Sequence, residues 1–194
     1  MTTPTKESTR PAATSGKVQQ DNDGAALTSP DYSSALHSTE AELSLLRGLL
    51  AARAGRVADL ANRLDARDFY MPHHGAIYAA ITVAAQRLHD EGHPDAPLQP
   101  DLIQQDLQAA GNLSDTVASA LLQATSGKYL PPVMADVYRL ADGLKRMRLH
   151  RALDSAGHEL INAASSGTDD DIRRCMNQIA FLPHMAHRAG LEVA

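Results

Sequence analysis

The sequence predicts an all-α protein: a small helical head of about five short helices followed by a long antiparallel helical hairpin. Three observations carry this. Apolar residues recur three and four positions apart, the spacing of one helical face, and no segment shows the strict alternation of a strand. Proline and glycine cut the stretch from Ser38 to Pro131 into short pieces. From Val133 to about Ala164 no proline and no clear stop interrupts the pattern. At 1.5 Å per residue, such a helix is roughly 45–50 Å long. No internal repeat is present.

The elements follow in order. Thr39 and Glu42 have capping-box spacing, so order begins at Ser38 or Thr39. Leu45, Leu46, Leu49 and Leu50 then share a face. Val57, Leu60, Ala61 and Leu64 mark a second helix. Ile77, Ile81, Ala84, Ala85 and Leu88 mark a third, which Gly92 ends. The prolines of Gly92–Pro97 make that segment a loop. Leu102, Ile103 and Leu107 give a fourth helix, stopped at Gly111. Ser114 caps a fifth, with Val117, Leu121 and Leu122 inside. After the break from Ser126 to Pro131, Pro132 suits the first position of the long helix. Ser165-Ser166-Gly167 turns the chain. Thr168 caps the returning helix, with Asp169, Asp170 and Asp171 in its first turn. Ile172, Cys175, Met176 and Ile179 line one face of that helix, and Pro183 is expected to end it.

The expected divisions are a disordered tail over 1–34, a helical head over 36–128, the hairpin over 131–182 and a flexible C-terminal tail over 183–194. The tail at the start is rich in Thr, Ser, Pro, Gln, Asp and Gly, and too poor in apolar residues to offset the entropy of ordering.

Composition narrows the function. The chain has 194 residues, 43% of them hydrophobic, enough for a packed core. A net charge of -5 excludes whole-surface attraction to nucleic acid or anionic lipid. The single cysteine, Cys175, cannot form an internal disulfide and fits a reducing compartment. The N-terminus lacks the apolar core of a signal peptide, and no run is long enough to span a bilayer. The expected location is the cytoplasm, with no membrane partner.

Aromatic residues are only 4% of the chain, yet Phe69, Tyr70 and Tyr78 fall together in a loop that feeds a helix. Each large ring can bury roughly 150–250 Å². The expected head core is Leu45, Leu46, Leu49, Phe69, Tyr70, Ile77, Tyr78 and Ile81.

No catalytic constellation emerges, and no cofactor or metal is expected. His73 and His74 are adjacent, so their side chains diverge. His89 and His93 are separated by a helix break, and His184 and His187 follow Pro183. The acidic pairs sit at helix ends, where capping and solvation explain them. The Gly-Lys pairs, Gly16-Lys17-Val18 and Gly127-Lys128-Tyr129, lack the upstream Gly and the following Ser/Thr of a phosphate-binding loop.

Several segments follow one another over Ser38 to about Leu182: Glu40-Ala41-Glu42 with Leu46-Arg47-Gly48-Leu49-Leu50, then Asp68-Phe69-Tyr70, then His74, Ile77, Tyr78 and Ile81, then Gly92, Pro94 and Asp95, then Tyr138 and Lys145 to Leu149. In this order they resemble the N-terminal domain of the DnaB-type replicative DNA helicases. The first segments resemble its opening helix, with Arg47 where the family usually has Leu. Asp68-Phe69-Tyr70 is similar to its loop signature, and His74, Ile77, Tyr78 and Ile81 to the helix after it. Gly92, Pro94 and Asp95 resemble its turn, shortened by one position, and Tyr138 with Lys145 to Leu149 the start of its hairpin.

The resemblance implies a scaffold without a motor of its own: a homo-oligomer, dimer or ring, that binds primase or a full-length replicative helicase. DNA contact is expected to be indirect or weak. Apolar hairpin positions that need a cover give an expected oligomer interface of Val137, Leu140, Leu144, Met147, Leu153, Ile172, Met176 and Ile179. Expected partner contacts are Leu160 and Ile161 near the tip, with Lys145, Arg146 and Arg148 from the densest basic cluster. That cluster, with Arg151, also reads as a solvated face paired with Asp142 and Asp154. Two further functional readings stand beside the scaffold. One is the N-terminal part of an ATP-driven helicase, and the other an unrelated all-helical regulator. A primase's helicase-binding domain has a similar fold, but the Asp-Phe-Tyr and Gly-Pro-Asp features favour the helicase side.

Overall fold

A computed structural model describes Met1, residues 32–126 and residues 128–192. The expected tail over 1–34 therefore falls almost wholly outside the described residues. The chain from Tyr32 onward forms one unit. Its described residues form seven α-helices: α1 (Tyr32–Ala51), α2 (Ala54–Ala61), α3 (Pro72–Asp90), α4 (Pro100–Ala109), α5 (Asp115–Thr125), α6 (Met134–Ser166) and α7 (Asp169–Arg188). A 3-10 turn, Ala66–Asp68, precedes α3. Among the described residues there is no strand, only an isolated bridge between Arg53 and Pro97.

The head is α1 to α5 plus the first turns of α6. Its core joins Leu45, Leu46 and Leu49 of α1 to Val57 and Leu60 of α2 and to Ile77, Tyr78 and Ile81 of α3. Ile103, Leu107, Val117 and Leu121 complete it from α4 and α5. Val137, Ala141 and Leu144 enter the same core from α6. Gly48 makes that approach feasible, since a Cβ there would lie 2.5 Å from Val137 Cγ2 and 2.8 Å from Pro132 Cγ.

Beyond Leu144 the long helix pairs with α7. Leu149, Ala156 and Ala163 are buried at seven-residue intervals on α6, and Cys175 and Ala186 are buried on α7. Leu149 packs with Ala186 and Ala189, and the other buried residues named here have small side chains. Gly167, at φ 64°, caps α6 in the left-handed conformation. Thr168 Oγ1 then accepts a hydrogen bond from Asp171 N at 3.2 Å to start α7.

The second helix ends at Ala61, leaving Leu64 outside it, and three further boundaries differ from expectation. First, α1 begins at Tyr32, so Thr39 lies inside it and Glu42 serves a tertiary role described below. Second, α6 starts at Met134, with Pro132 just outside it. Third, α7 runs through Pro183 to Arg188, where a flexible tail is expected. A proline inside a helix loses one hydrogen bond and costs about 3 kcal/mol. Anchors beyond it offset that cost: Ala186 and Ala189 pack on Leu149, and Arg188 reaches the head.

Candidate functional site

Two buried carboxylates organise the loop between the 3-10 turn and α3. Asp65 opens the turn: its Oδ1 accepts from Arg67 N at 2.8 Å, and its own N–H donates to Asp68 Oδ2 at 2.8 Å. Asp68 is only 1% exposed. Arg148 Nη1 donates to its Oδ1 at 2.9 Å, and Arg188 Nη2 to its Oδ2 at 2.8 Å. Arg151 Nη2 donates to the Asp68 backbone carbonyl at 2.9 Å, with its guanidinium 5.5 Å from the Tyr70 ring centroid. Burial lowers the Arg151 pKa, and the carboxylates of Glu42 and Asp68 oppose that shift. One loop residue therefore joins the head to both hairpin helices.

Glu42 is the second hub and is fully buried. It accepts hydrogen bonds from the backbone N–H groups of Tyr70 and Met71, the latter at 3.3 Å. Its Oε2 lies 2.7 Å from His74 Nδ1. The carboxylate binds the loop to the start of α3, where the amides of a helix entrance lack intrahelical partners. Contrary to the expectation that adjacent histidines diverge, the His73 and His74 rings meet edge-on, 4.5 Å between centroids. Burial, and then the charge of His74, lower the His73 pKa. Tyr78 packs on Phe69 at 5.1 Å between centroids and donates to the Leu64 carbonyl at 2.9 Å.

Seven of the eight expected head-core residues are buried: Leu45, Leu46, Leu49, Phe69, Ile77, Tyr78 and Ile81. Tyr70 is 50% exposed, because its role is to face Arg151 at the junction. Two of the expected interface residues, Val137 and Leu144, are fully buried in the head and cannot meet a partner. Leu140 and Met147 are partly buried against the same core. The first half of α6 faces the head, which periodicity alone does not reveal. Leu153, Leu160, Ile161, Ile172, Met176 and Phe181 are exposed on the hairpin, and Ile179 is half-buried.

The basic cluster divides. Lys145 pairs with Asp142 at 2.6 Å. Arg148 pairs with Asp68, and Arg151 joins the same loop, so neither pairs with Asp154. Arg146 is exposed. Asp154 faces His158 instead. His184 and His187 lie within α7. Among the described residues no three His, Cys, Asp or Glu side chains gather as a metal set. Nor is any helix there long and apolar enough to cross a membrane.

Glu42, Asp68 and Arg188 escaped the sequence reading as junction residues. A signal existed for Glu42, since it shares the face of Leu45, Leu46 and Leu49, where an acid is buried only with partners.

The family model for the DnaB-like helicase N terminal domain matches residues 34–138, just over half of the chain. The chain belongs to that family. The match spans α1 to the first turn of α6, so the DnaB-like region contains the Glu42 and Asp68 hubs. Most of the hairpin lies beyond it. Searches of curated proteins and of solved structures gave no match. Membership makes this a DnaB-like replication module, and the all-α fold agrees.

Proposed function

We propose that this chain is a scaffold of the DNA-replication machinery. It self-associates through one hairpin face, as a dimer or ring, and holds primase or a full-length replicative helicase without driving ATP hydrolysis itself. It works in the cytoplasm and touches DNA weakly or through its partners. The observation that supports this best is that Leu153, Leu160, Ile161, Ile172, Met176 and Phe181 are all exposed on the hairpin. Contiguous exposed apolar surface marks interaction sites, and helix-on-helix pairing between chains would cover these side chains. The interface is accordingly Leu153, Ile172, Met176 and Ile179, with Leu160 and Ile161 as contacts near the tip. Arg146 is the exposed cation of the basic cluster offered to a partner.

Light scattering after size exclusion tests this, with two or more chains per particle expected. A strict monomer at tens of micromolar would remove the self-association. A pull-down with the host's primase and helicase tests the rest, and binding to neither would remove the partner-holding role. The family match also supports a second reading, the N-terminal portion of an ATP-driven helicase. A Gly-x4-Gly-Lys-Ser/Thr segment encoded downstream would decide for it.

A further inference from the structure

Folding leaves one buried cation of the head without a counter-charge. Arg47, on α1, is 8% exposed, and its Nε is buried with no hydrogen-bond partner. Its guanidinium lies over the Tyr129 ring, 5.1 Å from the centroid, and Lys128 Nζ lies 5.3 Å from the same centroid. Neither cation makes an ion pair among the described residues. The contrast with Glu42 and Asp68 is sharp, since each of those buried charges has several partners. A cation over a ring recovers only part of the hydration that burial removes.

The segment carrying Lys128 and Tyr129 is pressed onto α1 at Pro132, beside Gly48. Further out it is uncovered: Leu130 is 92% exposed, and Tyr129 and Val133 are also exposed. Two cations without a carboxylate thus stand next to uncovered apolar side chains, on a chain of net charge -5.

We propose that Arg47, Lys128 and Tyr129 form a docking site for an acidic peptide segment of a partner protein. One carboxylate of that segment pairs with the two cations, and a flanking apolar side chain lies on Leu130 and Val133. Charge complementarity selects the occupant: an anion completes the pairing that the fold leaves open. The apolar surroundings select a peptide over nucleic acid. A phosphate backbone is held by many cations, and a ring already engaged by two cations is a poor stacking platform.

Fluorescence anisotropy tests the site with a labelled Glu-Leu-Asp-Asp-Leu-Glu peptide, its Gln-Leu-Asn-Asn-Leu-Gln counterpart and a short mixed-sequence single-stranded oligodeoxynucleotide. The acidic peptide should bind the intact chain. Arg47→Leu and Lys128→Ala should each weaken it on the order of tenfold, the loss of one charged contact, while Arg146→Ala leaves it unchanged. Arg47→Leu should keep or raise the thermal midpoint, because it removes an unpaired buried charge. No binding of the acidic peptide, equal binding by Arg47→Leu, or equal binding of the amide peptide would each overturn the proposal. So would preference for the oligodeoxynucleotide, or a lowered midpoint in Arg47→Leu, which would make the arginine structural. Light scattering on the same variants keeps this outcome separate from hairpin self-association.

Discussion

Arg188, in the last turn of α7, donates to the Asp68 carboxylate at 2.8 Å across a sequence separation of 120 residues. With Arg148 on the other oxygen, it fixes the base of the hairpin to the head.

Asp68→Asn should loosen that base. It removes the charge from two arginine contacts and weakens the cap of the 3-10 turn. Hydrogen bonds to charged groups are worth about 1.5–3 kcal/mol each, and the partly exposed arginines can turn to water, so a net loss of about 2 kcal/mol is expected. Urea denaturation measures it; an unchanged midpoint would show that the carboxylate is not the tie.

Glu42→Gln should cost about 2–3 kcal/mol, since an amide offers one acceptor oxygen where the carboxylate meets the Tyr70 and Met71 N–H groups and His74 Nδ1. A double-mutant cycle with His74→Ala should give a coupling above about 0.5 kcal/mol. Additive losses would mean that the two side chains do not act together.

Burial raises the Tyr78 pKa well above that of free tyrosine, with the carboxylates of Asp68 and Asp65 adding to the shift. The folded chain thus keeps its phenol proton at a pH where the unfolded chain loses it. Stability from this group is complete below about pH 10, the tyrosine reference value, and falls as pH rises above it. Tyr78→Phe should flatten the alkaline limb of a stability-against-pH curve. At neutral pH it should cost about 1 kcal/mol, the loss of the bond to Leu64. An alkaline limb unchanged by the substitution would assign it to other groups.

Much of the helical layout is legible in the sequence, because apolar spacing and Gly or Pro punctuation are local. Ser114 and Thr168 cap the helices assigned to them. What escapes is the choice of neighbour. Glu42 fits a capping box by spacing, but the same carboxylate satisfies the entrance of α3, and the tertiary partners prevail. Val137 and Leu144 form an apolar stripe on a long helix, and a stripe does not say whether the head or another chain covers it. Pro183 ends a helix in isolation; here the contacts of Ala186, Arg188 and Ala189 hold the helix past it.

Met176→Lys and Ile161→Glu should lower the particle mass in light scattering while changing the monomer's free energy of unfolding by less than about 0.5 kcal/mol, as exposed positions do. Retained mass in both would move the interface away from the hairpin.

Gly48→Ala should cost about 1–3 kcal/mol, the penalty of overpacking, because the added methyl meets Val137 and Pro132. Thermal denaturation reads this, and a neutral result would mean that α6 can shift outward freely.

The Asp68 tie also decides where the chain exits. Leu191 N–H closes on the Ala186 carbonyl, so the path leaves α7 beside the head. The turn at Ser166 lies about 18 residues along α6 from Arg148, roughly 27 Å at 1.5 Å per residue. A fluorescent protein or affinity tag fused after Leu191 would therefore crowd the head and leave the far end of the hairpin open to visitors.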